Sequence, residues 1–272
     1  MTKKIILKND GTIPIQDILC TTYQMRNFYL QLRDGFFTDL DIMNYIQHFK
    51  AVKMMKKGQN ILDVCCGRSM LLPLMRYYAK DVKKYIGVDI KKENTRLRKD
   101  IRNNKIINPE TYYPFDTEII ISNVAEMASK IKDKIHFVVY TSSIEHMHKI
   151  YGEKSIEQCS KVMTRGAKLF LSCPNTPEDQ DGYDVRYKAH VYEWKISELK
   201  EILLKNNFKI LEIIGLVGKI SDIKKAIKKM PQTLQNHYNK IVDYMPKEFL
   251  TSFLFIPIPK FATEVLIIAQ KK

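Results

Sequence analysis

Short apolar runs alternate with amphipathic segments along most of the chain. The runs have the length of strands and end at turn-forming residues, and they cover residues 60–65, 84–90, 117–125, 135–143, 166–175, 208–218 and 261–270. Between them, segments such as 69–79, 152–163 and 194–207 carry apolar residues at helical spacing. Strands that alternate with helices predict an α/β fold, with a seven-stranded, mostly parallel sheet covered by helices on both faces.

Two helical segments fall outside this alternation. Residues 1–58 precede the first core strand and predict an N-terminal helical cap. Residues 219–258 are rich in lysine and tyrosine and predict a helical insertion before the last strand. The predicted core therefore comprises residues 59–218 and 259–272. Because ligands bind at the carboxyl ends of the strands in such folds, where the loops gather, the insertion is a candidate lid.

Composition narrows the class of protein. With 272 residues and 45% hydrophobic content, the chain can bury a substantial core. No apolar run approaches the roughly 20 residues that span a bilayer, and the run near the N-terminus is too short for a secretory signal. The five cysteines show no C-x-x-C spacing, which argues against structural zinc and a disulfide framework. We therefore expect a cytoplasmic protein with no membrane partner, and the sequence leaves its oligomeric state open.

The chain is strongly basic, with a net charge of +15. Only nine of its 45 basic residues are arginine, the side chain best suited to bidentate contacts with phosphates and base edges. The basic residues concentrate in 91–105 and 219–230, and each stretch is compatible with a solvated helix face as well as with phosphate contacts. Charge alone therefore keeps nucleic acid as a second class of partner.

The strongest chemical motif follows the first core strand. Asp63 stands near the end of that strand, and the chain then turns through Cys65, Gly67 and Ser69 into a helix. Small side chains in such a turn let a ligand lie almost on the backbone, against a helix N-terminus. Asp89 ends the next strand, where a carboxylate can accept both hydroxyls of a ribose. The dinucleotide pattern G-x-G-x-x-G is absent, so a pyrophosphate-containing cofactor is disfavoured.

This arrangement resembles the first motif of the class I S-adenosylmethionine-dependent methyltransferases. In that motif an acid is followed by alternating glycines, and here it reads Asp63-x-Cys65-x-Gly67-x-Ser69, with two glycine positions replaced. The resemblance implies a Rossmann-like methyltransferase fold and S-adenosyl-L-methionine as the cofactor, whose amino-acid portion packs against the turn. The alternative is a strand–helix connection that binds no ligand.

The same resemblance assigns the other end of the cofactor. It implies that Asp89 binds the ribose. It also implies that the segment 122–127 borders the adenine, through Asn123, Val124 and Ala125.

The second half of the chain resembles the branch that contains ubiquinone-biosynthesis-type O-methyltransferases and small-RNA 2′-O-methyltransferases. Those proteins share a Glu-His pair after the fourth strand, a Pro-Asn pair after the fifth, and a later histidine. The resemblance makes Glu145, His146 and His190 the candidate catalytic residues.

Three roles are open for these residues. They can hold a divalent cation such as Mg²⁺, which would lower the pKa of an acceptor hydroxyl. The metal-using relatives have a further carboxylate three residues before the Glu-His pair, and here that position is Ser142. Without metal, His146 or His190 can act as a general base that Glu145 orients. In a purely structural role, Glu145 would cap a helix or turn and His190 would bond the backbone.

Two further groups are candidates for ligand contact. The loop 175–190 follows the fifth strand and either contacts the acceptor or is a solvated connector; its candidate residues are Asp181, Tyr183, Asp184 and Arg186. In the cap, four residues either close over the cofactor or belong to the core; they are Tyr23, Arg26, Phe28 and Tyr29.

The sequence thus predicts an S-adenosylmethionine-dependent methyltransferase that acts on an oxygen or nitrogen of a small molecule. A first alternative is a methyltransferase of RNA or modified DNA, for which the lysine-rich stretches are the basis. The DNA amino-methyltransferases carry an Asn/Asp-Pro-Pro motif after the fourth strand, where this chain reads YTSSIEH, and that reaction is disfavoured. A second alternative is a non-catalytic module that binds the cofactor.

Overall fold

The structure is a computed structural model, and it describes residues 30–31, 34, 38–90, 99–100, 105–106, 113–242 and 244–272. The predicted contacts of Tyr23, Arg26, Phe28 and Tyr29 lie outside the described residues, as does most of the basic stretch 91–105. Within the described part of the chain, no helix combines the length and the apolar character needed to cross a membrane.

Seven strands form one sheet. They are β1 (Asn60–Val64), β2 (Lys84–Asp89), β3 (Asp116–Ile121), β4 (Ile135–Thr141), β5 (Met163–Pro174), β6 (Phe208–Val217) and β7 (Glu264–Lys271). Their spatial order is β3-β2-β1-β4-β5-β7-β6. β7 runs antiparallel to its two neighbours, and the other pairs are parallel. The predicted seven-stranded, mostly parallel sheet is confirmed. A separate two-residue antiparallel pair joins Lys99–Asp100 to Lys105–Ile106.

Helices cover both faces of the sheet. They are α1 (Asp39–Met54), α2 (Leu71–Tyr78), α3 (Lys149–Val162), α4 (Ile196–Lys205), α5 (Ile223–Lys228), α6 (Gln232–Ile241) and α7 (Lys247–Phe253). Successive strand residues point to opposite faces, so Ile61 and Tyr85 pack with α1 and α2, whereas Leu62 and Ile86 pack with α3 and α4. Burial on both faces explains why these strands read as apolar runs rather than as alternating patterns.

The strand order reverses beside β1. The chain proceeds outward from β1 through β2 to β3, and β4 then pairs with the other edge of β1. The loops that follow β1 and β4 therefore leave the sheet in opposite directions and open a crevice at the carboxyl ends of these strands. Such a reversal is the usual ligand site of an open α/β sheet.

Between β6 and β7 lie α5, α6 and α7, which have a hydrophobic cluster of their own that includes Ile227, Leu250 and Phe255. This cluster packs tightly on β6. A Cβ atom added at Gly215 would stand 2.2 Å from the carbonyl oxygen of Phe255, so only glycine permits this approach.

The third strand is shorter than the apolar pattern predicts. The pattern extends to residue 125, but β3 ends at Ile121. The side-chain oxygen Oδ1 of Asn123 accepts a hydrogen bond from the backbone N–H of Ala125 at 2.9 Å, which turns the chain. A local side-chain acceptor of this kind competes with the sheet for backbone donors.

Gly152, in α3, leaves room for the ring of Trp194. A Cβ atom at this position would lie 2.5 Å from Cζ2 of Trp194 and 3.2 Å from Cγ1 of Ile144. We expect Gly152→Ala to lower the free energy of unfolding by about 1–3 kcal/mol, although alanine is the better helix former. Denaturant unfolding measures the change, with the exposed Glu153→Ala in the same helix as control. Unchanged or increased stability of Gly152→Ala would contradict this packing.

Candidate active site

The turn after β1 has an unusual backbone. Cys65, Gly67 and Ser69 have φ values of 56°, 51° and 53°, in the left-handed region. These are the three alternating positions that the sequence motif marks for small residues. Because the left-handed conformation costs a non-glycine residue roughly 1–2 kcal/mol, the cysteine and the serine are held there by the surrounding structure.

Hydrogen bonds from the end of β2 hold this turn. The backbone N–H of Gly67 donates to Oδ2 of Asp89 at 2.9 Å, and the N–H of Cys66 donates to the carbonyl oxygen of Val88 at 3.0 Å. Asp89 is 5% exposed. The carboxylate predicted to bind the ribose therefore also fixes the turn predicted to bind the rest of the cofactor.

Asp63 lies in the wall beneath the turn and does not line the cleft. Its Oδ2 accepts a hydrogen bond from the hydroxyl of Tyr85 at 2.7 Å. Burial raises the pKa of the Asp63 carboxyl to about 7; the Tyr85 hydrogen bond opposes this rise, and the neighbouring charge of Asp89 adds to it.

A cleft of about 510 Å³ opens at the strand-order reversal. Of the predicted cofactor residues, Cys65, Asp89, Asn123 and Val124 line it, and Gly67, Ser69 and Ala125 lie in the adjoining turns. The volume is within the usual range of small-molecule sites, roughly 300–1,000 Å³.

The cleft has lining residues that the sequence motifs did not single out. They are Ile90, Ser143, Met147 and Tyr151. Ile90 is 62% exposed and Tyr151 is 46% exposed. An isoleucine directly after the acid that ends β2 is a signal that could have been noticed, because an exposed apolar side chain beside a cleft suits a planar ligand.

The predicted catalytic residues come together next to this cleft. A short 3₁₀ turn after β4, Ile144–His146, carries Glu145 and His146, and the loop before α4 brings His190. One ligand atom from each of the three lies within 4.8 Å of the others. His146 also lines the cleft, and its ring contacts that of His190 with centroids 5.1 Å apart.

Glu145 is almost completely buried, and its carboxylate oxygen Oε2 has no hydrogen-bond partner among the described residues. Its backbone carbonyl accepts from the N–H groups of Val191 and Tyr192, at 2.8 and 3.1 Å. Burial raises the pKa of the Glu145 carboxyl to about 8; a backbone hydrogen bond opposes the rise, and the charge of Glu193 adds to it. The backbone carbonyl of Glu145 therefore has a structural role in holding the loop, whereas its Oε2 makes no hydrogen bond to a described residue.

Hydrogen bonds define the proton positions on both histidines. His146 Nδ1 lies 2.9 Å from the carbonyl oxygen of Ala189, and a carbonyl only accepts, so Nδ1 carries a proton. His190 Nδ1 lies 2.7 Å from Oε1 of Glu193 rather than against the backbone. With Nδ1 donating in both rings, the neutral form of each has its lone pair on Nε2.

Glu193 is a site residue that the sequence reading missed. It is 1% exposed, and besides His190 it accepts from the backbone N–H of Arg186 at 2.9 Å and from its Nε at 2.7 Å. Burial acts to raise the pKa of Glu193, but hydrogen bonds from His190 and Arg186 outweigh it and hold the pKa below its usual value. Arg186, a candidate for acceptor contact, thus holds an internal carboxylate. No local pattern marks this pair.

Ser142 occupies the position where metal-using relatives have a carboxylate. Its φ is 45°, and its Oγ accepts a hydrogen bond from Nε2 of Gln47 at 3.4 Å. Gln47, in α1, also accepts from the hydroxyl of Ser172 at 2.6 Å. The fully buried side chain of Gln47 therefore connects α1 with the carboxyl ends of β4 and β5.

The arrangement combines three chemical groups in one place. Two imidazoles, each with a lone pair on Nε2 when neutral, and a carboxylate oxygen with no hydrogen-bond partner in the described part of the chain adjoin a cleft of cofactor size. Such a set can accept a proton from a hydroxyl or can bind a divalent cation.

Asp63 makes stability depend on pH. The pKa of the Asp63 carboxyl is about 7 in the folded state, against 3.8 for an ordinary aspartate, the value taken for the unfolded chain. Between these two pH values the folded state therefore binds more protons than the unfolded state. The free energy of unfolding therefore falls as the pH rises from about 4 to about 7. We expect Asp63→Asn, which keeps an acceptor for Tyr85, to flatten this decline in denaturant titrations. The exposed Asp81→Asn is the control, and an identical pH profile for all three proteins would contradict the burial effect.

Comparison with known proteins agrees with this geometry. Residues 41–213 match a family model described as a methyltransferase domain, which is more than half of the chain. No curated protein matches the sequence. A methyltransferase from Archaeoglobus fulgidus, described as S-adenosylmethionine-dependent, has a similar structure with a TM-score of 0.52 and 17% identity, over 90% of this chain and 99% of that chain.

Two further solved structures are similar. The O-methyltransferase of a polyketide synthase from Brevibacillus brevis, in complex with S-adenosyl-L-homocysteine, has a TM-score of 0.53 and 14% identity, over 92% of this chain and 76% of that chain. The small-RNA methyltransferase HEN1 has a TM-score of 0.55 and 15% identity, over 86% of this chain and 25% of that chain. The chain therefore belongs to the methyltransferase-domain family and has the fold of the class I, S-adenosylmethionine-dependent methyltransferases.

Proposed function

We propose that the protein transfers a methyl group from S-adenosylmethionine to a hydroxyl oxygen of a small molecule. The observation that carries this proposal is the cluster of Glu145, His146 and His190 beside the cleft, with both imidazoles able to present Nε2 as an acceptor. A hydroxyl must lose its proton as it attacks, and this cluster has the groups that can take it.

The cofactor half of the proposal rests on the cleft. Bound S-adenosylmethionine supplies a methyl group on a positively charged sulfur. The left-handed turn at Cys65 and Gly67 leaves the backbone close to the space where its amino-acid portion would lie. Asp89 would contact the ribose, and Ile90 and Val124 offer apolar surface for the adenine. Apart from Ile90, these residues belong to the contact set that the family resemblance implies; its other members are Ser69, Asn123, Ala125 and Asp63, which lies beneath the turn.

The acceptor half requires a base and an orienting group. His146 lines the cleft, so its Nε2 is the group best placed to receive the hydroxyl proton, and its half-exposed ring can pass that proton to solvent. His190, packed against it, is fixed by Glu193 and limits the orientations of the His146 ring. Holding the attacking oxygen in line with the methyl group supplies the remaining acceleration.

The same residues fit a divalent cation. A carboxylate oxygen of Glu145 and one nitrogen of each imidazole are a three-ligand set, and Glu193 and the Ala189 carbonyl are acceptors that orient the imidazoles. A bound cation would lower the pKa of the acceptor hydroxyl. Two imidazoles and one carboxylate suit Mn²⁺, Fe²⁺ or Zn²⁺, whereas Mg²⁺ prefers oxygen ligands, so the donor set does not favour the expected Mg²⁺.

A nucleic-acid acceptor is the second candidate. It is supported by the exposed lysines of residues 219–230, of which only Lys225 has an ion pair among the described residues, with Asp222. Whichever acceptor is used, we also propose the division of the chain into a cap at 1–58, a core at 59–218 and 259–272, and a lid at 219–258. Retention on heparin that falls steeply with salt would favour nucleic acid.

The direct test is transfer of labelled methyl from S-adenosylmethionine to a small-molecule extract and, separately, to total RNA. Label in the small-molecule fraction supports the proposal, and label in RNA alone favours the second candidate. Cofactor binding with no transfer to either pool would favour the non-catalytic module.

Asp89→Ala should weaken binding of S-adenosylmethionine by more than about tenfold, because hydrogen bonds to a charged group are lost. Calorimetric titration measures the affinity. Asp89→Asn retains an oxygen that can accept from the Gly67 N–H and so preserves the turn, but it lacks the charged carboxylate. Its affinity therefore separates an effect on the turn from an effect on the ribose contact. Asp116→Ala, at the exposed start of β3, is the matched control. Unchanged affinity of Asp89→Ala would remove Asp89 from the cofactor site.

His190→Ala should slow methyl transfer by about a hundredfold or more and leave cofactor affinity intact, because the acceptor-side cluster is broken. Glu193→Gln should also lower kcat with little change in cofactor affinity, and the exposed His237→Ala in α6 is the control.

Each assay is repeated with a chelator and with added Mn²⁺. Loss of activity in the chelator that Mn²⁺ restores supports the metal site, whereas insensitivity supports imidazole as the base. Normal turnover of His190→Ala would exclude it from the reaction.

A further inference from the structure

A second cavity, of about 570 Å³, lies at the same edge of the sheet as the cleft. It is bordered by the segment after β5 at Thr176, by the start of α4 at Ile196, by the start of the insertion at Lys219, and by Lys260 just after the insertion. The carboxyl ends of β5 and β6 and the beginning of β7 surround it. None of the residues in the cofactor motif lines this cavity.

Two lysines that line the cavity have no ion pair with a described residue. Of its three acids, Glu178 accepts from the N–H of Ser197 at 3.2 Å and from its hydroxyl, and Asp222 pairs with Lys225 at 3.2 Å. Asp179 is the remaining acid. Lys219 and Lys260 line the same cavity and have no ion pair with any described residue. Glu178 keeps its negative charge, but its carboxylate is directed to Ser197, so a bound anion would find two lysines whose ammonium groups are not already paired.

The walls of the cavity suit an apolar body. Pro177, Ile196, Phe261 and Ala262 line it, and Phe261 is 37% exposed. The floor carries an unused polar group, because the buried hydroxyl of Thr176 has no hydrogen-bond partner among the described residues. An apolar body with one charged end matches these walls better than a highly hydrated polyanion does.

Arg186 connects this cavity to the catalytic cluster. It lines the cavity, donates through Nη2 to the carbonyl oxygen of Thr263 at 3.3 Å, and donates through Nε to Glu193. Glu193 in turn holds His190 at 2.7 Å. The cavity is therefore linked to the histidines through only two side chains, Arg186 and Glu193.

We propose that this cavity binds the far, anionic end of the methyl acceptor, an organic carboxylate or phosphate with an apolar body. The inference rests on the proposed function and adds the class of substrate to it. Lys219 and Lys260 pair with the anion, and Phe261 and Ile196 pack against the apolar part. Phosphate and carboxylate share this chemistry, and the acceptor assay below distinguishes them.

Binding is tested by calorimetric titration of the full chain with phenyl phosphate, and with benzoate and benzyl alcohol as the carboxylate and neutral probes. We expect phenyl phosphate or benzoate to bind with higher affinity than benzyl alcohol. The double variant Lys219→Ala/Lys260→Ala should weaken anion binding about tenfold or more, because two ion pairs are lost. The control Lys224→Ala/Lys229→Ala removes the same charge from exposed positions that do not line the cavity.

The anion site would be overturned if both double variants lost anion affinity equally, or if neither lost any. It would also be overturned if benzyl alcohol bound as tightly as the anionic probes. In the labelled-methyl assay, the product should be retained on an anion-exchange resin, and phosphatase treatment should release it only if the anion is a phosphate monoester. A neutral product would also overturn the inference. Absence of any labelled product would instead contradict the proposed function, and phenyl phosphate binding would still test the cavity by itself.

Discussion

The buried carboxylate of Glu193 constrains the acceptor side of this protein. A carboxylate at 1% exposure is stable only when charged or polar donors replace its water, and here three N–H groups do so, two from Arg186 and one from His190. To supply them, the loop after β5 must fold back on itself. That folding brings His190 against His146, and thereby assembles the cluster on which the proposed chemistry depends.

The cofactor side depends on the backbone instead. Three left-handed residues, at positions 65, 67 and 69, turn the chain after β1, and the carboxylate of Asp89 holds the central one through its N–H. The side chains at these positions need only be small. This explains how cysteine and serine can stand where related motifs have glycine, at the cost of some backbone strain.

Burial acts to raise the pKa of all three carboxyls of the site, but the net shifts have opposite directions. It raises the pKa of Asp63 to about 7 and that of Glu145 to about 8, and neither carboxyl has an ion pair with a lysine or arginine among the described residues. Glu193 is equally enclosed, but hydrogen bonds from His190 and Arg186 outweigh its desolvation and lower its pKa. The protein therefore holds one buried carboxyl charged as an anchor, next to another that changes its protonation near neutral pH, where proton transfer is most effective.

The sequence by itself determined the sheet, its mostly parallel character and the turn after β1. These features depend on residues close together in the chain: apolar runs of strand length, small residues at alternating positions, and an acid at the end of β2. It also predicted that Glu145, His146 and His190 act together, through resemblance to a known branch. Only the tertiary structure decided that Asp63 faces Tyr85, that Arg186 binds Glu193, and that Gln47 of α1 bonds Ser142. Each of these contacts joins different elements or folds a loop back on itself, and each is selected by the need to satisfy buried polar groups, a requirement that leaves no periodic pattern in the sequence.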